Sequence, residues 1–205
     1  MEDKIARIIS AVMHPMFTIT WGMIIMFNLQ AYFVMILPAD LKWIILALVF
    51  MNTILLPGLL IWIMVRRNIV SSFEMPLRHE RTYPYLIFAV FYAATFFMLR
   101  NTGLPKIYYM FIAGAFASII LATIINFYWK ISIHMIGIGG ITGGFIALSL
   151  KSMMYAPSLL VILFILAGLT GFARLKSGSH TPAQIYTGYI AGLAVVGLIF
   201  LGFGF

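Results

Sequence analysis

The sequence contains no cysteine, and only five of its 205 residues are acidic. The missing thiols exclude disulfide bonds and thiolate metal sites. Charged residues make up 9% of the chain, against about 25% in an ordinary soluble domain. With 63% hydrophobic residues, this scarcity of charge excludes both a water-soluble globule and a disordered chain. The composition is that of a membrane protein.

Acid–base side chains are few, because four histidines and five carboxylates are the whole conventional stock. Cations are more numerous, and the 13 lysines and arginines give a net charge of +8. They are scattered singly between apolar runs, which argues against a nucleic-acid partner. We expect them to contact phospholipid headgroups, or a phosphate-bearing substrate at the membrane surface.

Long apolar segments dominate the chain. A helix needs about 20 mostly apolar residues to cross the hydrocarbon of a bilayer. Seven segments approach this length, and they predict an all-α polytopic membrane bundle of about seven transmembrane helices, in one domain over residues 1–205. The third segment, of about 16 residues, spans only if Arg100 snorkels or the bilayer thins. The predicted segments are 17–37, 43–65, 84–99, 107–129, 132–150, 155–172 and 182–205.

Small residues recur at a four-residue spacing inside several of these segments. This spacing places them on one face of a helix and lets two backbones approach closely in lipid. We therefore expect close helix packing at these positions. The pairs are Gly114 and Ser118, Gly139 and Gly143, Gly140 and Gly144, and Gly188 and Gly192.

Seven crossings would place all the histidines, and most of the cations, near one membrane face. The histidines are His14, His79, His134 and His180. One interpretation is the positive-inside rule, by which cations mark the cytoplasmic side. The other is an anion site, in which guanidinium and ammonium groups surround a phosphate.

Two of the histidines stand near the starts of predicted helices, each behind a cation. Lys130 precedes His134 by about one helical turn, with Ser132 between them. Arg174 closes the sixth segment, and His180 follows six residues later. Two such pairs on one membrane face favour an anion site.

The start of the seventh segment adds to this pattern. Pro182 suits the first turn of a helix, because its missing N–H costs nothing there. The free N–H groups and the positive dipole end of such a helix favour an anion. Gln184 lies four residues after His180. If the helix includes His180, the amide can orient the imidazole.

These residues resemble the type 2 phosphatidic acid phosphatase (PAP2) superfamily, which includes the vanadium haloperoxidases. Its third motif is Ser-Arg, five residues, His, three residues and Asp; the chain has Ala173-Arg174, then His180 and then Gln184 at the same spacing. The glycine-bearing helix with Gly188 and Gly192 is also similar to the family.

The other two motifs of the family are matched less fully. Its second motif, Pro-Ser-Gly-His, corresponds to Ser132, Ile133 and His134. Its first motif, a Lys followed by six residues and Arg-Pro, has Arg78 and Arg81 as its only counterparts, without the family spacing. The resemblance covers roughly residues 78–192.

The resemblance implies a PAP2-like membrane domain, with a six-helix core, that hydrolyses a lipid or isoprenoid phosphate or diphosphate. His180 would attack phosphorus to form a phosphohistidine, Gln184 would orient it, and His134 would protonate the leaving oxygen. Ser132 would donate a hydrogen bond to the phosphate. No metal ion and no cofactor are implied, and the membrane is expected to be the bacterial inner membrane. The implied phosphate-binding cations are Arg174, Arg78, Arg81, Lys130 and Lys176.

The chain departs from the family at three positions, where Ala173 replaces Ser, Ile133 replaces Gly and Gln184 replaces Asp. The last departure matters most, because an amide can orient an imidazole but stabilises its positive charge poorly. A second hypothesis is therefore a catalytically impaired relative that binds or carries anionic phospholipid.

A small transporter or channel ranks last, because it would need ionisable residues at mid-membrane. The notable polar residues within the segments are uncharged: Asn28, Asn52, Thr53 and Asn126. Pro57 and Gly58 could break the second helix.

Overall fold

The computed structural model describes residues 2–73, 75, 77–152 and 156–203, and the regular structure in these ranges is entirely helical. A π-helical turn (Met51–Leu55) joins α4 to α5, and a 3-10 turn (His79–Arg81) leads into α6. The predicted all-α bundle is confirmed. The helices are α1 (Glu2–Val12), α2 (Pro15–Phe27), α3 (Tyr32–Met35), α4 (Ala39–Phe50), α5 (Leu56–Arg66), α6 (Thr82–Arg100), α7 (Lys106–Asn126), α8 (Ile133–Ser152), α9 (Pro157–Lys176) and α10 (Pro182–Phe203).

Within the described residues, six continuous helical segments are long and apolar enough to cross a membrane, and they make the chain an integral membrane protein. The third predicted segment is longer than expected, since the helix runs from His79 to Arg100 over 22 residues. Tyr155 and Phe205, which bound two predicted segments, lie outside the described residues. The six are Ala39–Arg66, His79–Arg100, Lys106–Asn126, Ile133–Lys151, Pro157–Lys176 and Pro182–Phe203.

The first predicted segment, residues 17–37, is not one helix. α2 ends at Phe27, where the Asn28 side chain donates to the Ile24 carbonyl at 2.8 Å. At 13 residues, α2 is about 20 Å long and shorter than the hydrocarbon core. α1 and α2 meet at a 64° bend, and a seventh crossing exists only if this bent pair is one broken span.

The second predicted segment stays continuous through Pro57, where the sequence indicated a possible break. Proline has no N–H for the ordinary helical hydrogen bond. The chain accommodates this with the π-helical turn Met51–Leu55, directly before the first turn of α5. Wider turns of this kind absorb a local misfit without ending a helix.

α8 and α10 form the most extensive helix contact in the described bundle. It is a contact of backbone on backbone, as the glycine spacing predicted. A Cβ atom on Gly143 would collide with the Leu193 carbonyl, and one on Gly192 would collide with the Ile136 carbonyl. The two helices therefore begin side by side, in a fixed position relative to each other.

We predict that Gly192→Ala destabilises the protein, because the added methyl group must push two helix backbones apart. Overpacking of this kind costs about 1–3 kcal/mol. Gly168→Ala is the matched control, since a Cβ there would meet nothing within 4 Å. Thermal unfolding in detergent should show a lower midpoint for Gly192→Ala and an unchanged or higher one for Gly168→Ala. Equal midpoints for the two variants would contradict the packing described here.

Candidate functional site

A cavity of about 330 Å³ lies where α8 and α10 begin and α9 ends. One part of its wall is polar and another part is apolar. The described lining contains no carboxylate. Its polar residues are Arg7, Ser10, His14, Arg81, Tyr85, His134, Arg174, Ser177, Ser179 and His180, and its apolar ones are Ala11, Pro15, Met16, Ile61, Phe73, Met75, Pro84, Phe88 and Ile133.

His180 is held by the start of α10. Gly178, at φ +64°, ends α9 with a left-handed turn that leads the chain towards α10. Thr181 and Gln184 then form a capping box: the Gln184 N–H donates to Thr181 Oγ1 at 3.4 Å, and the Thr181 N–H donates to Gln184 Oε1 at 3.3 Å. His180 Nδ1 lies 3.0 Å from the same Oε1.

This capping box settles the tautomer of His180. A backbone N–H can only donate, so the amide of Gln184 must present its oxygen to Thr181. That oxygen can only accept, so Nδ1 of His180 carries a proton and Nε2 carries a lone pair. Gln184 thus lies where it can orient the imidazole, although α10 begins at Pro182 and does not include His180.

His180 is electrically neutral at physiological pH. The pKa of His180 is lowered to about 3, mainly by burial and against the opposing effect of the Gln184 hydrogen bond. The nearby charges of Arg81, Arg174 and Lys130 contribute to the same lowering. A neutral imidazole with a free Nε2 lone pair is the form that a nucleophile requires.

His134 occupies the first turn of α8 and is held by α1. Its Nε2 lies 3.3 Å from the Ser10 carbonyl. Since a carbonyl only accepts, Nε2 carries the proton and Nδ1 the lone pair. Ser10 also contacts Arg174, whose Nη1 donates to Ser10 Oγ at 3.4 Å. One residue of α1 therefore orients two residues of the cavity.

Two buried arginines line the same cavity. Arg81 is 5% exposed and Arg174 is 8% exposed. Arg81 donates from Nε to the Met75 carbonyl at 2.9 Å and from Nη1 to the Ile131 carbonyl at 3.4 Å. These carbonyls hold the guanidinium in position but do not neutralise its positive charge. A buried charge lowers the stability of a protein unless an opposite charge lies beside it.

The remaining predicted site residues are not among those that line the cavity. The Ser132 hydroxyl is buried and finds no partner among the described residues. Arg78 is exposed and donates to the Phe127 carbonyl at 3.0 Å. Lys176 pairs with Glu2 on α1 at 2.7 Å.

Lys130 is not among the residues that line the cavity. Burial is the main cause that lowers the pKa of Lys130, and the charges of Arg81 and Arg174 lower it further. Lys130 therefore adds to the positive electrostatic field of Arg81 and Arg174.

Residues of α1 and the α1–α2 break were missed as site residues by the sequence reasoning. Arg7, Ser10 and His14 all line the cavity. Their spacing of three and four residues is the signal that could have found them, since it defines one face of a helix. The opposite face of α1 exposes Ile5, Ile8 and Val12.

The arrangement can hold an anion and offer it two differently oriented neutral imidazoles. Comparison of the chain with known protein families, curated proteins and solved structures finds no match. Guanidinium groups suit phosphate oxygens in particular, because their planar forks can donate two parallel hydrogen bonds.

We predict that acid destabilises the protein through His180. The unfolded chain has the ordinary histidine pKa of 6.5, while the folded pKa is about 3. Between these values the unfolded state binds more protons, so stability falls as the pH drops through this window.

His180→Gln should therefore make the thermal midpoint less sensitive to pH between 6.5 and 4. The exposed His79 does not line the cavity, and His79→Gln serves as the control. A pH dependence that is the same in His180→Gln and in the wild type would refute the assignment.

Proposed function

We propose that the protein is a membrane-embedded phosphatase that hydrolyses a lipid or isoprenoid phosphate monoester or diphosphate through a phosphohistidine on His180. The observation that carries this proposal is that buried Arg81 and Arg174 line one cavity with His134 and His180. The similarity of the third sequence motif to the PAP2 superfamily supports the same chemistry.

The arginines supply what phosphoryl transfer most needs. Negative charge spreads over the nonbridging oxygens in the transition state, and fixed cations stabilise it without reorganising. Arg81 and Arg174 are already desolvated in the cavity. An arriving phosphate therefore gains their attraction at little further cost to the protein.

The imidazoles supply the covalent step. The Nε2 lone pair of His180 attacks phosphorus, and the bond from phosphorus to the leaving oxygen breaks. The unprotonated Nδ1 of His134 can take a proton from the acidic phosphate monoester and return it to the leaving oxygen. Water then attacks the phosphohistidine, which releases phosphate and restores His180.

The apolar part of the wall favours an amphipathic substrate over free phosphate. The cavity is lined by apolar Ile61 and Phe88 as well as by charged residues. A second cavity of about 50 Å³ lies deeper in the bundle, and Pro15 and Ile133 line both. A phosphate among the arginines and an acyl or prenyl chain along the apolar wall would fill the space.

The proposed setting is the bacterial inner membrane, with membrane lipids as partners and the phosphate group at the boundary of the bilayer. Phosphatidate, phosphatidylglycerophosphate and a polyprenyl diphosphate all combine the required anion and chain. No nucleic acid, metal ion or cofactor takes part in the proposed reaction.

We predict that the purified protein releases inorganic phosphate from at least one of these three lipids in detergent micelles. His180→Ala should abolish release, and Arg174→Ala should reduce it by roughly 100-fold or more. Arg100→Ala removes the same charge type from an exposed position at the end of α6, and should leave the rate unchanged. Equal activity of wild type and His180→Ala on every lipid would exclude the proposal.

A second candidate function is a lipid-phosphate binding protein without turnover, and Gln184 is the observation that favours it. Its amide oxygen orients His180, as described above, but carries no charge to stabilise an imidazolium. In a serine protease the comparable loss of an aspartate costs about 10⁴ in rate, partly through the wrong tautomer. In this chain Gln184 still fixes the tautomer of His180. We therefore expect only the part of the rate loss that comes from the missing negative charge.

We predict that Gln184→Glu increases phosphate release by roughly 10-fold or more, because the new side chain has the same reach and adds the missing charge. The carboxylate should also raise the pKa of His180, since an opposite charge favours the imidazolium. Gln184→Leu, which removes the acceptor, should lower release.

The same pair of variants distinguishes the two functions. If the wild type binds phosphatidate saturably without turnover and Gln184→Glu hydrolyses it, the protein is a binding protein whose site is otherwise intact. Phosphate release that is unchanged in both variants would show that Gln184 does not act on His180.

A further inference from the structure

We propose that His14 is a third histidine of the site, and that it donates its Nε2–H to the phosphate group of the ligand. This inference rests on the proposed phosphate site and extends it to the break between α1 and α2. Neither the PAP2-like motifs nor the helix pattern assigns His14 a role.

His14 is placed at the cavity by the bend of the chain. It stands between Val12, the last residue of α1, and Pro15, the first of α2, where the helices meet at 64°. Its ring lines the cavity and packs edge-on against the ring of His134, with the centroids 5.3 Å apart and the planes at 82°. An anion that reaches His134 is therefore also near His14.

The tautomer of His14 is fixed by the start of α2. The Met16 N–H lies 3.3 Å from His14 Nδ1, which accepts it as the cap of the helix. Nδ1 therefore carries the lone pair, and the proton of a neutral ring is on Nε2. His14 thus presents a donor on the side of the ring away from the helix.

That donor is not used within the described protein. Nε2 of His14 has no hydrogen-bond partner among the described residues. It is also accessible to solvent, because it is absent from the fully enclosed polar atoms that lack partners. Because His14 lines the cavity, we place this free N–H at the cavity wall. A phosphate oxygen is an acceptor that matches it.

A cap alone does not explain a histidine here. Ser, Thr, Asp and Asn are the favoured capping residues, and each is smaller than an imidazole. A histidine adds a second nitrogen, on the far edge of the ring, that can donate while the first one caps. The three rings then have different tasks: His180 offers a lone pair on Nε2, His134 one on Nδ1, and His14 an N–H.

The variant His14→Asn tests this role, because asparagine can still cap α2 but cannot reach the cavity with a ring N–H. The probe is inorganic phosphate, titrated calorimetrically into the full-length protein in detergent. Loss of a hydrogen bond to a charged group should weaken binding by roughly 10- to 100-fold in both His14→Asn and His14→Ala. The thermal midpoint of His14→Asn should remain close to that of the wild type.

Other outcomes would overturn the inference. Wild-type binding by His14→Asn, with weak binding only in His14→Ala, would show that His14 is a cap and nothing more. If Arg174→Ala weakens binding but His14→Asn does not, the phosphate site stands and the role of His14 falls. If the wild-type protein neither binds phosphate nor hydrolyses the lipid panel, the proposed function itself fails.

A structure of the wild-type protein with bound vanadate answers the same question without a substitution. His14 Nε2 within about 3.2 Å of a vanadate oxygen supports the inference. Vanadate bound against Arg174 but beyond hydrogen-bonding distance of Nε2 overturns it.

Discussion

The contact of α8 with α10 is the constraint on which the candidate site depends. Without a hydrophobic driving force between helices in lipid, close backbone packing has to hold them together. Gly143 and Gly192 allow this packing. His134 lies in the first turn of α8 and His180 directly before α10. The Ser132 N–H also donates to the Gln184 carbonyl at 3.4 Å, which joins the two helix starts. A disturbance of the glycines would therefore separate the two imidazoles.

The cations of the chain have at least two roles. Arg81 and Arg174 are buried at the cavity, while Lys176 pairs with Glu2 where α1 contacts the end of α9. An exposed pair such as Lys176–Glu2 contributes little stability by itself. The contacts of these cations within the protein therefore explain their positions without the positive-inside rule.

Local features of the fold and site could be predicted from the sequence, and long-range ones could not. Some features depend only on residues that are close in the sequence: the helical periods, Pro182 and the spacing of His180 and Gln184. The start of α10 matches these features. The contact of Ser10 with His134 joins positions 124 residues apart. No spacing rule reaches so far, so the part of α1 in the cavity was missed. The prediction of a single helix over residues 17–37 was wrong for another reason. The apolar composition of this segment does not indicate that the helix ends at Asn28.

The position of Gln184 separates two effects that an aspartate would combine. An aspartate beside a histidine both fixes its tautomer and stabilises its charged form. In this chain the capping box of α10 fixes the amide, and the amide fixes the tautomer, so orientation is achieved without charge. Burial already favours neutral His180, and an uncharged partner adds nothing that would stabilise its protonated form. The described residues that line the cavity include no carboxylate, so a phosphate bound as proposed above would itself be the partner that stabilises a protonated His180.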